Sequence, residues 1–203
     1  MNRSNRRAAA ALCRRLRRDR RGVSALEFAL ILPILALFYA GAIELSLGMM
    51  ADRKVSATAS TIGDLVSRGR SITNCDVSDI FTAADLLMEP FGTGDMQLRV
   101  TSVVPPDEDE DEDDEDDSDD GLTAGVVDWS FANPDWAPRA EGSEVTLPED
   151  VLVNGRSVIM AEVRYGFVSP IGKIMDGEIN MQEVYYLRPR RVSEIPFISQ
   201  SCS

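Results

Sequence analysis

The sequence predicts an α+β fold, in which a long amino-terminal helix starts in a membrane and precedes a domain with a mainly antiparallel sheet. Two observations support this prediction. An uncharged apolar stretch runs from Phe28 to Ile43, and strand-like alternation of apolar and polar residues begins only at Met96. Because helical patterns precede strand patterns instead of alternating with them, we expect the strands to pair mainly as antiparallel neighbours.

The apolar stretch predicts a single transmembrane helix. It contains 16 residues, and its extension to Met50 exceeds the roughly 20 residues needed to cross about 30 Å of hydrocarbon. Residues 1–21 contain nine arginines and one acid, a formal charge of +8. Since cytoplasmic flanks retain positive charge, we expect this arm inside and the chain beyond Met50 outside. The predicted regions are a basic leader (1–22), a span (23–50) and an outer α+β domain (51–203).

Three fates of the span are compatible with the sequence. Signal peptidase could cut at the small residues Ala40-Gly41-Ala42 and release a soluble domain. Prepilin peptidase instead cuts on the cytoplasmic side, after a glycine, and leaves a helix with glutamate as its fifth residue; Gly22, Val23 and Glu27 have this spacing. An uncut chain would remain anchored by its signal segment.

Glu27 distinguishes these fates, because a carboxylate near the start of a membrane helix is costly in lipid. In one interpretation it is an interfacial charge beside the lipid headgroups. In the other it pairs with the amine that cleavage frees on a neighbouring chain, which neutralises both charges.

The string RRDRRGVSALEFALILPILALFYAGAIEL, residues 17–45, resembles the amino-terminal signature of the TadE-like family of tight-adherence (Flp) pilus systems. The shared features are an arginine-rich leader, a glycine, a Glu-Phe or Glu-Tyr pair and an apolar helix that contains proline. The close resemblance covers about residues 17–50. A looser one extends to a Cys pair and to β-like segments that end in Tyr-Tyr-Leu-Arg-Pro-Arg, residues 185–190.

This resemblance implies a pseudopilin, a minor pilin-like subunit of the bacterial inner membrane that prepilin peptidase processes and that pilus biogenesis requires. The implied partners are that peptidase, the Flp pilin, other pseudopilins and the inner-membrane pilus platform. One departure is Phe28, where processed relatives typically have tyrosine. The alternative is an uncleaved, membrane-anchored scaffold or binding protein of the same machinery, and whether the chain enters the filament stays open.

Two helical patterns follow the span. Val55, Ala59, Ile62 and Val66 recur at helical spacing, so we expect the membrane helix to continue outward as an amphipathic helix that stops near Gly69. A second apolar stripe predicts a short helix over residues 77–88, capped by Asp76 or Ser78 and ended by Pro90.

Several later segments predict strands. Asn154-Gly155 lies between apolar runs and indicates a hairpin that pairs residues 151–153 with 157–168. The predicted strands are residues 96–101, 125–131, 145–147, 151–153, 157–168 and 178–187.

Residues 107–120 carry 13 carboxylates in 14 positions. A block of like charge repels itself, so we expect an exposed, disordered loop. A weak calcium site at Asp107, Asp109 and Asp111 is the alternative, although the run lacks the glycine and the ligand spacing of an EF-hand. The excess of acid, together with the lack of a basic, aromatic-interleaved surface beyond the leader, argues against nucleic acid as a partner.

The three cysteines separate by compartment. Cys13 belongs to the cytoplasmic leader, whereas Cys75 and Cys202 both face the oxidising periplasm under the predicted topology. We therefore predict a Cys75–Cys202 disulfide, with two unpaired buried thiols as the alternative.

The sequence gives no support to an enzyme. It contains no histidine, the usual general base and metal ligand, and no nucleophile-elbow, phosphate-loop, dinucleotide or zinc-protease motif. We expect neither catalysis nor a cofactor.

Overall fold

The computed structural model describes residues 22–92, 94, 96–106, 122–149, 151–152, 156–169, 177–200 and 202. Two compact units divide the chain, Met1–Ser46 and Leu47–Ser203. Helices precede the main strands, as the α+β prediction requires. The elements are α1 (Val23–Ser67), β1 (Ile72–Thr73), α2 (Asn74–Met88), β2 (Met96–Val104), β3 (Leu122–Ala132), β4 (Glu144–Pro148), β5 (Val158–Val168), β6 (Glu178–Leu187) and β7 (Phe197–Ile198).

Helix α1 has 45 residues and contains Pro33. At 1.5 Å per residue it is about 67 Å long, roughly twice the thickness of a hydrocarbon core. It ends two residues before Gly69, close to the predicted stop. The helix therefore includes both the apolar span and the amphipathic continuation that the sequence predicts.

Within the second unit, one stripe of α1 packs on the main sheet. The predicted stripe residues Val55, Ala59, Ile62 and Val66 are all buried in one core with apolar side chains of β2 and β5. At Gly63 the helix lies so close to β6 that an added Cβ would overlap the Leu187 side chain. A side chain at this position would require Leu187 to move.

The main sheet has five strands in the order β4-β3-β2-β5-β6, and every neighbouring pair is antiparallel. The second sheet joins β1 and β7 in parallel. The mainly antiparallel arrangement confirms the expected sheet type.

The predicted hairpin between residues 151–153 and 157–168 is wrong. Strand β5 has β2 on one side and β6 on the other, so neither of its edges is open to a third strand. Val151 and Leu152 form bends, and Leu152 packs against a smaller apolar cluster. Asn154 and Gly155, on which the prediction rested, lie outside the described residues.

A β-bulge in β3 places successive apolar residues on opposite faces of the sheet. Trp129 pairs with Ser102, but Val127 pairs with Val103, so Asp128 is an extra residue in β3. As a result Trp129 joins the core against α1, whereas Val127 joins the cluster on the other face.

Helix α2 is longer than predicted and its cap differs. Thr73, not Asp76 or Ser78, is the N-cap: its Oγ1 accepts from the Asp76 N–H at 3.2 Å, and Asp76 Oδ2 accepts from the Thr73 N–H at 2.9 Å. This reciprocal pair is a capping box with aspartate at its third position. The helix ends at Met88, before Pro90, as predicted.

Candidate functional site

The first candidate site is the segment Gly22–Phe28. Gly22 lies in a turn, and α1 begins at Val23, where the Leu26 N–H donates to the Gly22 carbonyl oxygen at 3.1 Å. The Gly22–Val23 bond thus lies at the helix boundary, where the chain unfolds at least cost. Val23 is 46% exposed and Phe28 is 61% exposed.

Glu27 follows Val23 by four residues on the exposed first turns of α1. Residues at this spacing lie on the same helix face, one turn apart. A carboxylate at Glu27 is therefore placed one turn from the backbone nitrogen of Val23.

The apolar part of α1 exposes large side chains around the whole helix circumference. A helix that is apolar all round suits a hydrocarbon environment better than water. Within the described residues, α1 alone is long and apolar enough to cross a membrane, which is consistent with a single membrane anchor. The exposed large side chains before Ser46 are Val23, Leu26, Phe28, Leu30, Ile31, Leu32, Ile34, Leu35, Leu37, Phe38, Tyr39 and Leu45.

Comparison with protein families finds a match that covers most of α1. Residues 22–63 match the family model of TadE-like proteins. The match confirms the resemblance found in the sequence for this part of the chain.

The matched residues, here called the TadE-like segment, begin at Gly22 and end four residues before the last residue of α1. The sheet domain lies outside the match. Comparison with curated proteins finds no match, and comparison with solved structures finds none either.

The second candidate site is the cysteine pair. Cys75, near the start of α2, and Cys202 form a disulfide with their Cα atoms 5.5 Å apart. The bond joins the carboxy-terminal tail to the first turn of α2. The same tail supplies β7, which pairs with β1, and a carbonyl at Ile195 that accepts from Trp129 Nε1 at 2.7 Å.

A charged network that the sequence analysis did not identify lies on the sheet face opposite α1. Glu162 on β5 accepts two bonds from Arg99 on β2, at 2.7 and 2.9 Å. It also accepts from Arg139, which follows β3, at 3.0 Å. The guanidinium carbons of Arg99 and Arg164 lie 4.0 and 4.3 Å from the ring centroid of Trp136. Charged residues inside apolar β5 were the only sequence signal for this network.

Among the described residues, no group of three or more His, Cys, Asp or Glu side chains is arranged to hold a metal ion. The proposed calcium ligands Asp107, Asp109 and Asp111 lie outside the described residues. The rest of the acidic run and Cys13 also lie outside them.

Proposed function

We propose that this chain is a minor pseudopilin of the tight-adherence pilus system, cut by prepilin peptidase between Gly22 and Val23. One observation carries the proposal: the TadE-like match begins at Gly22, which immediately precedes a long apolar helix. The peptidase, the Flp pilin, other pseudopilins and the inner-membrane platform are its proposed partners.

Cleavage would change the charge of the helix end. The new amine at Val23 would add a positive charge where the helix dipole is already positive, and this arrangement is unfavourable without a nearby anion. Glu27 supplies a carboxylate one turn away. In an assembly of packed helices, Glu27 would neutralise the amine of its own or a neighbouring chain and fix the position of one helix against the next.

The proposed location is the bacterial inner membrane, with residues 1–22 in the cytoplasm and residues 51–203 in the periplasm. The Cys75–Cys202 disulfide supports this orientation, because disulfides persist in oxidising compartments. The uncleaved anchored scaffold is the alternative, in which the same helix serves only as an anchor.

Substitution of Glu27 tests the proposed assembly role. We expect Glu27→Gln, which removes the charge but keeps the size, to abolish pili in sheared surface fractions. Glu27→Asp keeps the charge and should retain some pili. Both variants should reach the membrane at wild-type level, and the mass of the mature chain reports whether each is still cut. Normal piliation by a correctly inserted Glu27→Gln variant would contradict the pseudopilin role.

A further inference from the structure

The two edges of the main sheet differ in their protection against further strand pairing. At one edge, β4 has five residues and ends at Pro148, which lacks an N–H donor. At the other edge, β6 pairs with β5 over ten consecutive residues without a bulge. Soluble proteins usually protect long edge strands with proline, lysine, bulges or a covering element. Strand β6 contains neither proline nor lysine.

The outer edge of β6 has unused backbone groups. In an antiparallel pair, about half of the residues direct their N–H and C=O groups away from the partner strand. In the part of the chain that the structure describes, no backbone group bonds to these outward groups of β6. Among the described residues, another strand could pair with this edge without breaking a backbone hydrogen bond.

The side chains of β6 restrict which strand fits. Ile179 and Tyr185 lie on the face that packs against α1, yet they remain 40% and 37% exposed. The strand carries two acids, Glu178 and Glu183, and no cation. A complementary strand would place apolar residues beside Ile179 and Tyr185 and basic residues beside the two carboxylates.

A second copy of this chain fits poorly at this edge. Antiparallel self-pairing would place four carboxylates and no cation along the two paired strands, and like charges on neighbouring strands are destabilising. Parallel self-pairing requires a twofold axis along the strands. This axis would place each side chain and its paired copy on opposite faces of the sheet, whereas paired residues of neighbouring strands have their side chains on the same face.

We propose that the free edge of β6 binds an extended, basic segment of another protein by strand addition. Backbone hydrogen bonds supply the contact along the edge, and Glu178 and Glu183 select for positive charge. The interaction surface lies in the sheet domain, outside the TadE-like segment.

An octapeptide that pairs antiparallel with residues 178–185, here called the lysine–valine peptide, is a defined probe for this edge. It has lysine opposite Glu178 and Glu183, valine opposite Ile179, Met181 and Tyr185, and threonine elsewhere. We expect it to slow amide hydrogen exchange in β6 of the purified full-length protein about tenfold when present at about ten times its Kd. Amides of β4 should be unaffected. The same peptide with every backbone nitrogen methylated keeps its charge but has no N–H donor on either edge, so it should give no protection. This control separates strand addition from attraction to the acidic run.

Charge reversal provides the matched variants. The double variant Glu178→Lys/Glu183→Lys should lose protection by the lysine–valine peptide and gain it from a glutamate–valine peptide, whereas Glu144→Lys/Glu149→Lys on the β4 side should behave like the wild type. Equal protection by the methylated peptide, protection of β4, or no protection of wild-type β6 would overturn the proposal. None of these results depends on cleavage at Gly22, so the pseudopilin proposal is tested separately.

Discussion

At the scale of single residues, the sheet domain depends on a buried carboxylate. The Glu162 side chain is 4% exposed and lies between the guanidinium groups of Arg99 and Arg139. Such a charge is tolerated only when it is paired and hydrogen-bonded. The three residues lie far apart in the sequence, so their contact follows from strand order and could not be read from local patterns.

Replacement of Glu162 by alanine should destabilise the protein by about 3–5 kcal/mol, because it leaves Arg99 and Arg139 without their shared partner. Urea unfolding of the purified protein measures the change. Glu144→Ala, at an exposed position of β4, should change stability by less than about 0.5 kcal/mol. Equal effects of the two substitutions would contradict a structural role for the network.

Asp128, the extra residue of the bulge, gives a pH-dependent prediction. Burial and the nearby negative charges of Glu194 and Glu141 raise the pKa of its carboxyl above the ordinary value of 3.8. A raised pKa means that the folded protein holds this proton more tightly than the unfolded chain. This contribution therefore stabilises the protein below about pH 3.8 and is lost as the pH rises through the folded pKa.

Asp128→Asn removes this titration. Its stability relative to the wild type should increase as the pH rises from about 4 to 7, as measured by urea midpoints at each pH. Glu144→Gln is the exposed control and should show no such trend. A difference between Asp128→Asn and the wild type that does not vary with pH would contradict the assignment.

At the scale of elements, the sequence predicted the features that depend on residues close together in the chain. The α1 stripe, the start of β2 and strand β4 follow from periodicity, because each buries one face. The bulge could not be predicted: Val127 and Trp129 are two residues apart, so strict alternation puts them on the same face. The false hairpin has a related cause, since a turn motif predicts a local pair whereas β5 is occupied on both sides by distant strands.

The disulfide joins elements that are 127 residues apart in the sequence. We expect Cys75→Ser or Cys202→Ser to lower the free energy of unfolding by about 2–5 kcal/mol, because the unfolded chain regains the entropy of a long loop. Thermal unfolding measures this loss, and reduction of the wild type should reproduce it. Cys13→Ser is the matched control. Unchanged stability in both serine variants of the pair would contradict a stabilising bond.

At the scale of the whole molecule, the chain combines a matched helix with an unmatched sheet domain. The TadE-like segment supports the proposed pseudopilin role: it begins at Gly22, contains Glu27 and the apolar part of α1, and directly follows the cationic leader. Loss of residues 1–22 would change the net charge from −13 to −21, since those residues carry +8. Such a mature chain would repel anionic surfaces and attract basic partners, in line with the partner proposed for β6.

The candidate processing segment is local in sequence, so the sequence alone indicates it, and its cleavage stays a prediction. Gly22, Val23, Glu27 and Phe28 lie in one short segment, whose order of residue types matches a known signature. The β6 edge and the Glu162 network depend on which strands become neighbours, and periodicity contains no information about strand order.

The amino terminus of the mature protein tests the central claim most directly. Intact mass and amino-terminal sequencing of the membrane fraction should be compared in cells with and without prepilin peptidase. We predict a start at Val23 that depends on the peptidase. An uncut chain in both strains, or a start near Ile43 that does not depend on the peptidase, would contradict the pseudopilin account.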